Sequence, residues 1–176
     1  AIRQQGLPNR QLGVGKLQKT CSPLLALLRT MAVFAHDASA MTLNNSTQTL
    51  ALIGAPTDIG AGARGASMGP EALRVAGLQA ALESHGLDVI DRGNLLGPAN
   101  PWQPPSGGYR HLPEVVAWNQ QVFGAVLAEL EAGHLPVLLG GDHCLGLGSI
   151  AAVARHCHNT GKTLRVLWLD AHADFN

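Results

Sequence analysis

The chain has 176 residues, of which 46% are hydrophobic and 14% charged, a size and balance suited to one globular domain with a buried core. Twelve Lys and Arg balance twelve Asp and Glu, so no net charge favours a nucleic acid or an anionic membrane as a partner. Three cysteines give no disulfide framework and fit a reducing, cytoplasmic location. No apolar run is long enough to span a membrane.

Residues 1–40 differ in character from the rest of the chain. They contain five Lys or Arg against one acid and show no hydrophobic period. The stretch from Pro23 to Ala35 mimics a secretory signal, but Arg29 interrupts it. We expect a poorly ordered N-terminal extension, either upstream or targeting sequence, with Met41 as the natural start.

A strand, a helix and a second strand are the first predicted elements. An apolar run at 49–55 indicates a buried strand. A helix is predicted from residues 69–71, where Pro and an acid occupy the first turn, to a cap at Gly86. Its apolar face consists of three residues at helical spacing: Val75, Leu78 and Leu82. The second strand is predicted at 87–90.

The same alternation continues after a Pro- and Gly-rich loop at 93–111. A helix is predicted from Pro113 to Gly133. Its apolar face consists of four residues at helical spacing: Val115, Trp118, Val122 and Val126. A third strand is predicted at 136–139, a third helix around 150–157 and a fourth strand at 164–169. Strands that alternate with helices predict an α/β fold with a parallel sheet covered on both faces. Ligands bind such sheets beyond the carboxyl ends of the strands.

The motif Asp170-Ala171-His172-Ala173-Asp174 directly follows the fourth predicted strand. In extended backbone, residues at i, i+2 and i+4 point to one side, so two carboxylates and an imidazole would converge. Carboxylates favour hard divalent cations, and imidazole extends the choice to manganese, iron, cobalt, nickel or zinc. The alternative is a polar strand end whose charges face water.

The motif Gly140-Gly141-Asp142-His143 directly follows the third predicted strand. The glycines allow a tight turn that would bring His143 to the same edge as Asp170. Taken alone, His143 is more often a loop residue that caps the next helix. Two such motifs at two strand ends favour a metal site, and four ligands could begin a two-metal centre that activates a bridging water.

Three other patterns carry weaker signals. Residues 60–65 fit G-x-G-x-x-G, but a dinucleotide site needs that motif at a strand-to-helix turn, so we predict a flexible glycine loop. Cys144 beside a helix start is a conceivable nucleophile, although a packing role is more common. The His-Cys-His cluster at 156–158 lies late in a helix, where consecutive side chains diverge, and no metal role is predicted for it.

From residue 50 to 176 the sequence resembles the arginase/agmatinase (ureohydrolase) family. The specific signals are the motifs at 140–143 and 170–174 in this order. The supporting signals are Ile53-Gly54-Ala55-Pro56, Arg64-Gly65, Gly69-Pro70 and Leu73-Arg74. The resemblance implies an arginase-like, three-layer α/β/α fold with a central parallel sheet. It also implies manganese-dependent hydrolysis of L-arginine to L-ornithine and urea, in a homotrimer or homohexamer.

The resemblance also implies roles for individual residues. His143, Asp170 and Asp174 would bind one Mn²⁺, and Asp170 would bridge to a second Mn²⁺ that His172 binds. Asp142 would support these ligands from behind. Cys144 stands where most family members carry Ser, a mild departure that leaves the ligands intact.

Asn176 matches the arginase pattern, in which an Asn helps to hold the amino-acid end of the substrate. Agmatinases commonly lack it, because their substrate has no α-carboxylate. The family's later Asp-x-Asp ligand pair, its proton-shuttling His and a late acidic substrate residue have no counterpart in this sequence. We therefore expect a truncated, N-terminal part of the fold that is inactive by itself.

Three alternatives remain open at this point. The first is an agmatinase or guanidino-acid hydrolase, against which Asn176 argues. The second is a metal-dependent deacetylase of related architecture, which the Gly-Gly-Asp-His motif at 140–143 disfavours. The third is a non-catalytic metal-binding remnant, which a downstream Asp-x-Asp pair would exclude.

Overall fold

The computed structural model describes residues 48–170. The predicted extension at 1–40 and three of the predicted site residues, namely His172, Asp174 and Asn176, lie outside the described residues. In the described range, no helix is both long and apolar enough to cross a membrane.

Within residues 48–170, three parallel strands form the sheet, with β1 at Leu50–Ala55, β2 at Val89–Asn94 and β3 at Leu135–Gly140. Their order in space is β2-β1-β3. All six residues of the central strand β1 are buried. A strand covered on both faces has no polar side, which is why β1 forms an unbroken apolar run in the sequence. The predicted parallel sheet is confirmed, with strand bounds that differ by a few residues.

In the part of the chain that the structure describes, four helices connect and flank the strands. They are α1 (Gly69–Val75), α2 (Leu78–Glu83), α3 (Leu112–Glu131) and α4 (Gly146–Asn159), with short 3-10 turns at Ala66–Met68 and His143–Leu145. The pair α1 and α2 leads from β1 to β2, and α3 leads from β2 past β1 to β3. These connections run in opposite directions across the sheet, so the right-handed crossover rule places them on opposite faces. This arrangement agrees with the predicted α/β/α class.

The single helix predicted between residues 69 and 86 is in fact two helices. Gly77 separates α1 from α2 with a φ of 81°, a left-handed conformation that glycine adopts without the steric cost of a Cβ. The break changes the direction of the chain, and Val75 is 88% exposed. Placing Val75 on one apolar face with the buried Leu82 was therefore wrong.

The predicted fourth strand is a second correction. Residues 164–169 form no strand among the described residues, and the four apolar side chains from Val166 to Leu169 are exposed. A strand exists only when its backbone pairs with a neighbour. In the described sheet, β3 pairs with β1 alone, so residues 164–169 have the composition of a strand without its hydrogen-bond ladder.

The main core lies between β1 and α3. Trp118, Val122 and Val126 are buried at a spacing of four residues, which forms one stripe along α3, as the sequence predicted. This stripe packs on Ile53 and Ala55 of β1. The Trp118 indole Nε1 also donates a hydrogen bond to the carbonyl of Pro98 at 2.9 Å. This bond ties the predicted loop at 93–111, whose first two residues belong to β2, to the core.

Candidate metal centre

The carboxyl ends of β1 and β3 approach each other closely at one edge of the sheet. A Cβ added at Gly141 would overlap the carbonyl oxygen of Thr57 and lie 2.9 Å from that of Ala55. Only glycine therefore allows this approach of two backbones. The backbone N–H of Asp142 donates to Thr57 O at 3.0 Å, which joins the loop after β3 to the loop after β1.

Asp142 caps the 3-10 turn that carries His143. Its backbone is extended, and its Oδ1 accepts a hydrogen bond from the backbone N–H of Cys144 at 2.9 Å, the geometry of an N-cap. The side chain is buried, and its Oδ2 has no hydrogen-bond partner among the described residues. A Cβ at Gly60 would lie 3.0 Å from that oxygen. Asp142 thus fixes the backbone of the turn that contains His143.

His143 and Asp170, two of the four predicted ligands, lie together at this edge. The Nδ1 atom of His143 is 3.3 Å from Oδ2 of Asp170. The ring of Trp168 flanks the imidazole, with 6.1 Å between ring centroids. The His143 side chain is 58% exposed and that of Asp170 is 21% exposed, so a cation can reach the pair from solvent.

The described residues supply only part of a coordination sphere. Between residues 48 and 170, no group of three or more His, Cys, Asp or Glu side chains is arranged to hold a metal ion. The two remaining predicted ligands, His172 and Asp174, lie outside that range. One imidazole beside one carboxylate is a donor pair that suits Mn²⁺, so the residues present fit the ion without completing its site.

Cys144 faces inward behind this edge. Burial, followed by the charge of Asp142, raises the pKa of the Cys144 thiol to about 12. A thiol with that pKa stays protonated at neutral pH, whereas nucleophilic cysteines have lowered values. The side chain packs against the main core, so the packing interpretation of Cys144 holds.

The glycine-rich residues 60–65 form an irregular loop between β1 and the turn at Ala66–Met68. Asp58 organises this loop, because its Oδ2 accepts hydrogen bonds from the Gly65 N–H at 3.3 Å and the Ser67 hydroxyl at 3.2 Å. The motif does not join a strand directly to a helix, and this placement agrees with the prediction of a loop rather than a dinucleotide site.

Further contacts hold the loop after β1, and no sequence pattern predicted them. Two of its side chains, Asn100 and His111, are 42 and 52 residues from their partners, so no local pattern reveals them. The contacts are Asn100 Nδ2 to Asp58 O at 2.9 Å, Arg64 Cζ to the Trp102 ring centroid at 4.8 Å, and His111 Nδ1 to Ile59 O at 2.7 Å.

The fold and this edge define an α/β protein with a His–Asp pair at the carboxyl end of a parallel sheet, the arrangement of a candidate metal-dependent hydrolase. A family profile described as "Arginase family" matches residues 48–176. The chain therefore belongs to the arginase family.

Individual relatives agree with this assignment. The chain is 40% identical over 129 residues to the arginase of Brevibacillus brevis, a match that covers 73% of this chain and 42% of the relative. It is 37% identical over 133 residues to an arginase of Staphylococcus aureus, which covers 74% and 43%. Among solved structures, arginase from Bacillus caldovelox superimposes with a TM-score of 0.58 at 34% identity, over 62% of this chain and 37% of that one. The chain thus spans about four tenths of the length of the curated relatives it matches.

Proposed function

We propose that the complete protein hydrolyses L-arginine to L-ornithine and urea in a manganese-dependent reaction. The observation that carries the proposal is the contact between His143 and Asp170 at the carboxyl edge of the sheet, in a chain of the arginase family. The relatives that match the chain are named arginases, which favours arginine over agmatine as the substrate.

The proposed metal ligands are His143, Asp170, His172 and Asp174. Two bound Mn²⁺ ions would supply a water of lowered pKa as the nucleophile. In the net reaction, water adds to the guanidinium carbon and the bond from that carbon to the chain nitrogen breaks. That nitrogen gains both hydrogens of the water and becomes the ammonium group of ornithine, while the carbon and the water oxygen leave in urea.

The chain's own residues would prepare this chemistry in two ways. Asp142 fixes the turn that carries His143 through the hydrogen bond to Cys144 N, so the ligand is held before any ion arrives. Asn176 would donate from its amide N–H₂ to the α-carboxylate of arginine. Agmatine has no carboxylate to accept that hydrogen bond, and such an unpaired polar group discriminates between substrates.

The setting of the reaction is also proposed. The sparse, odd number of cysteines fits the cytoplasm. We propose a homotrimer or homohexamer of the complete protein, with L-arginine as its small-molecule partner and with no role for nucleic acid or membrane.

The experiment measures urea release by the full-length, Mn²⁺-loaded protein with arginine and with agmatine as substrates. Arginine should be strongly preferred. His143→Ala and His172→Ala should each reduce the bound Mn²⁺ and lower kcat/KM by about 100-fold or more, because a ligand that fixes a nucleophilic water is lost.

His85→Ala is the matched control, since His85 is exposed near the end of α2 and belongs to no predicted site. That variant should bind Mn²⁺ and release urea like the wild type. A preference of the wild type for agmatine would refute the substrate. Full activity and metal content in both ligand variants would refute the metal centre.

A further inference from the structure

His111 combines three features that are unusual for one residue at the start of a helix. It precedes α3 with a φ of 48° and a ψ of 41°, in the left-handed region. A non-glycine residue there costs about 1 kcal/mol or more, so the conformation persists only where its surroundings hold it. The imidazole is buried, and both of its nitrogens have hydrogen-bond partners.

The partners define what each nitrogen of His111 does. Nδ1 lies 2.7 Å from the carbonyl oxygen of Ile59. A carbonyl can only accept, so Nδ1 carries the hydrogen and donates. Nε2 lies 3.1 Å from the backbone N of Gln103 and 3.0 Å from its carbonyl oxygen. The ring therefore joins the loop at 93–111 to the loop that follows β1.

The loop held by His111 is the one that supports the candidate metal centre. Two residues before Ile59, the carbonyl of Thr57 accepts the backbone N–H of Asp142. One residue after Ile59, Gly60 packs against the carboxylate of Asp142. Ile59 itself is fully buried, so the loop between Thr57 and Gly60 is held by the core at the Ile59 side chain and by His111 at the Ile59 carbonyl.

We propose that His111 is a positioning residue for the metal centre. Its Nδ1–H holds the loop from Thr57 to Gly60 against Asp142, and Asp142 in turn fixes the turn that carries His143. The inference rests on the proposed function, because it assigns His143 to a Mn²⁺ ion. His111 touches neither the substrate nor the metal in this arrangement. It acts through backbone atoms across three segments of the chain.

The test compares two replacements that are isosteric with each other, His111→Asn and His111→Asp. Both residues tolerate the left-handed conformation better than most. The δ nitrogen of Asn occupies the place of Nδ1 and can donate to Ile59 O, whereas the Asp carboxylate can only accept there. His111→Gly provides a neutral variant without a donor, in which the backbone conformation is unstrained, so the result does not depend on the Asp variant folding.

The readout is the dissociation constant of Mn²⁺, measured on the full-length protein from the paramagnetic resonance signal of the free ion. Supporting residues behind a metal ligand typically change affinity 10- to 100-fold. His111 acts on His143 only through the loop after β1 and Asp142, so we expect a modest effect. The Mn²⁺ dissociation constant should rise about tenfold in the Asp and Gly variants and by less than about threefold in the Asn variant. At saturating Mn²⁺, kcat should stay close to the wild-type value.

Val126→Ala separates positioning from general stability, because Val126 is a buried core residue of α3 whose apolar side chain can form no hydrogen bond to the loop after β1. It should lower the thermal midpoint and leave the Mn²⁺ constant unchanged. Equal Mn²⁺ constants in the wild type and in folded Asp and Gly variants would overturn the inference while leaving the proposed function intact. Absence of Mn²⁺ binding by the wild type would overturn the proposed function and this inference together.

Discussion

Replacing Gly141 by Ala should disturb the candidate site through one methyl group. The Cβ would overlap Thr57 O and lie 2.9 Å from Ala55 O and 3.0 Å from Thr57 N. All three neighbours are backbone atoms, so no side chain can rotate away. Overpacking of this kind costs about 1–3 kcal/mol, and separating the loops would also break the hydrogen bond from Asp142 N, worth about 1 kcal/mol. We expect a loss of about 2–4 kcal/mol in the free energy of unfolding.

The assay is urea denaturation of the full-length protein at pH 7 with a fixed, saturating Mn²⁺ concentration, so that metal linkage is held constant. Gly124→Ala is the matched control. Gly124 lies within α3, and a Cβ added there meets nothing within 4 Å. Alanine should stabilise the protein there by about 0.5–1 kcal/mol, because glycine is a poor residue in a helix. The same substitution should therefore have opposite signs at the two positions.

A decrease of less than about 0.5 kcal/mol in the free energy of unfolding of Gly141→Ala, with an unchanged m-value, would contradict this prediction. A decrease of that size is typical of an ordinary surface substitution. The two loops would then relax without cost, and their close approach would not be what holds Asp142 and His143. A stabilising effect at Gly141 equal to that at Gly124 would contradict it more strongly.

Four further outcomes are expected. Asn119→Ala should lower the free energy of unfolding by about 2–3 kcal/mol in urea titrations. The buried side-chain amide of Asn119 donates hydrogen bonds to Val115 O and Cys144 O and accepts one from the Gly148 N–H. The hydrogen bond from Arg74 lowers the pKa of the Asp91 carboxyl. The ionised carboxylate therefore stabilises the fold fully above the unfolded pKa of about 3.9, and this stabilisation is lost as pH falls through the lower folded pKa. The stability difference between wild type and Asp91→Asn, about 1 kcal/mol at neutral pH, should therefore shrink below about pH 4, and a difference that grows in acid would contradict the sign. Asn176→Ala should raise KM for arginine and leave the slow rate with agmatine unchanged in urea-release assays, and an equal effect on both would remove the case for arginine. A full-length protein that starts at Met41 should fold and turn over normally, and its failure to fold would mean that residues 1–40 pack on the domain.

Hydrophobic pattern was enough to predict the elements whose burial is regular. The unbroken run in β1 and the four-residue spacing of Trp118, Val122 and Val126 each reflect one continuous buried surface. The break at Gly77 could not be predicted from this pattern, because apolar residues continue at helical spacing across it while the backbone turns. The run at 164–169 shows the opposite error, since composition indicates a strand and pairing decides whether one forms.

In the candidate site, too, some residues could be predicted from the sequence and others could not. The proximity of His143 and Asp170 was expected because each follows an apolar run, and the ends of parallel strands share an edge. Asp170 lies beside His143 even though residues 164–169 form no strand. The supporting residues could not be predicted, because Asn100 and His111 contact backbone carbonyls of residues more than forty positions away. Such contacts use no motif, and any side chain with a donor in the right place would serve. They become visible only when the loops are seen side by side.

The burial of Trp118 gives the protein an optical probe of its own. All three tryptophans of the sequence are described, and Trp118 is 3% exposed while Trp102 and Trp168 are 38% and 50% exposed. Among these three rings, iodide should therefore quench the last two and spare Trp118, whose emission lies at short wavelength. Because that ring is hydrogen-bonded to Pro98, undocking of the loop at 93–111 would shift the protected emission to longer wavelength. The far-ultraviolet circular dichroism of the helices would stay unchanged, so local opening of the loop can be followed separately from unfolding of the domain.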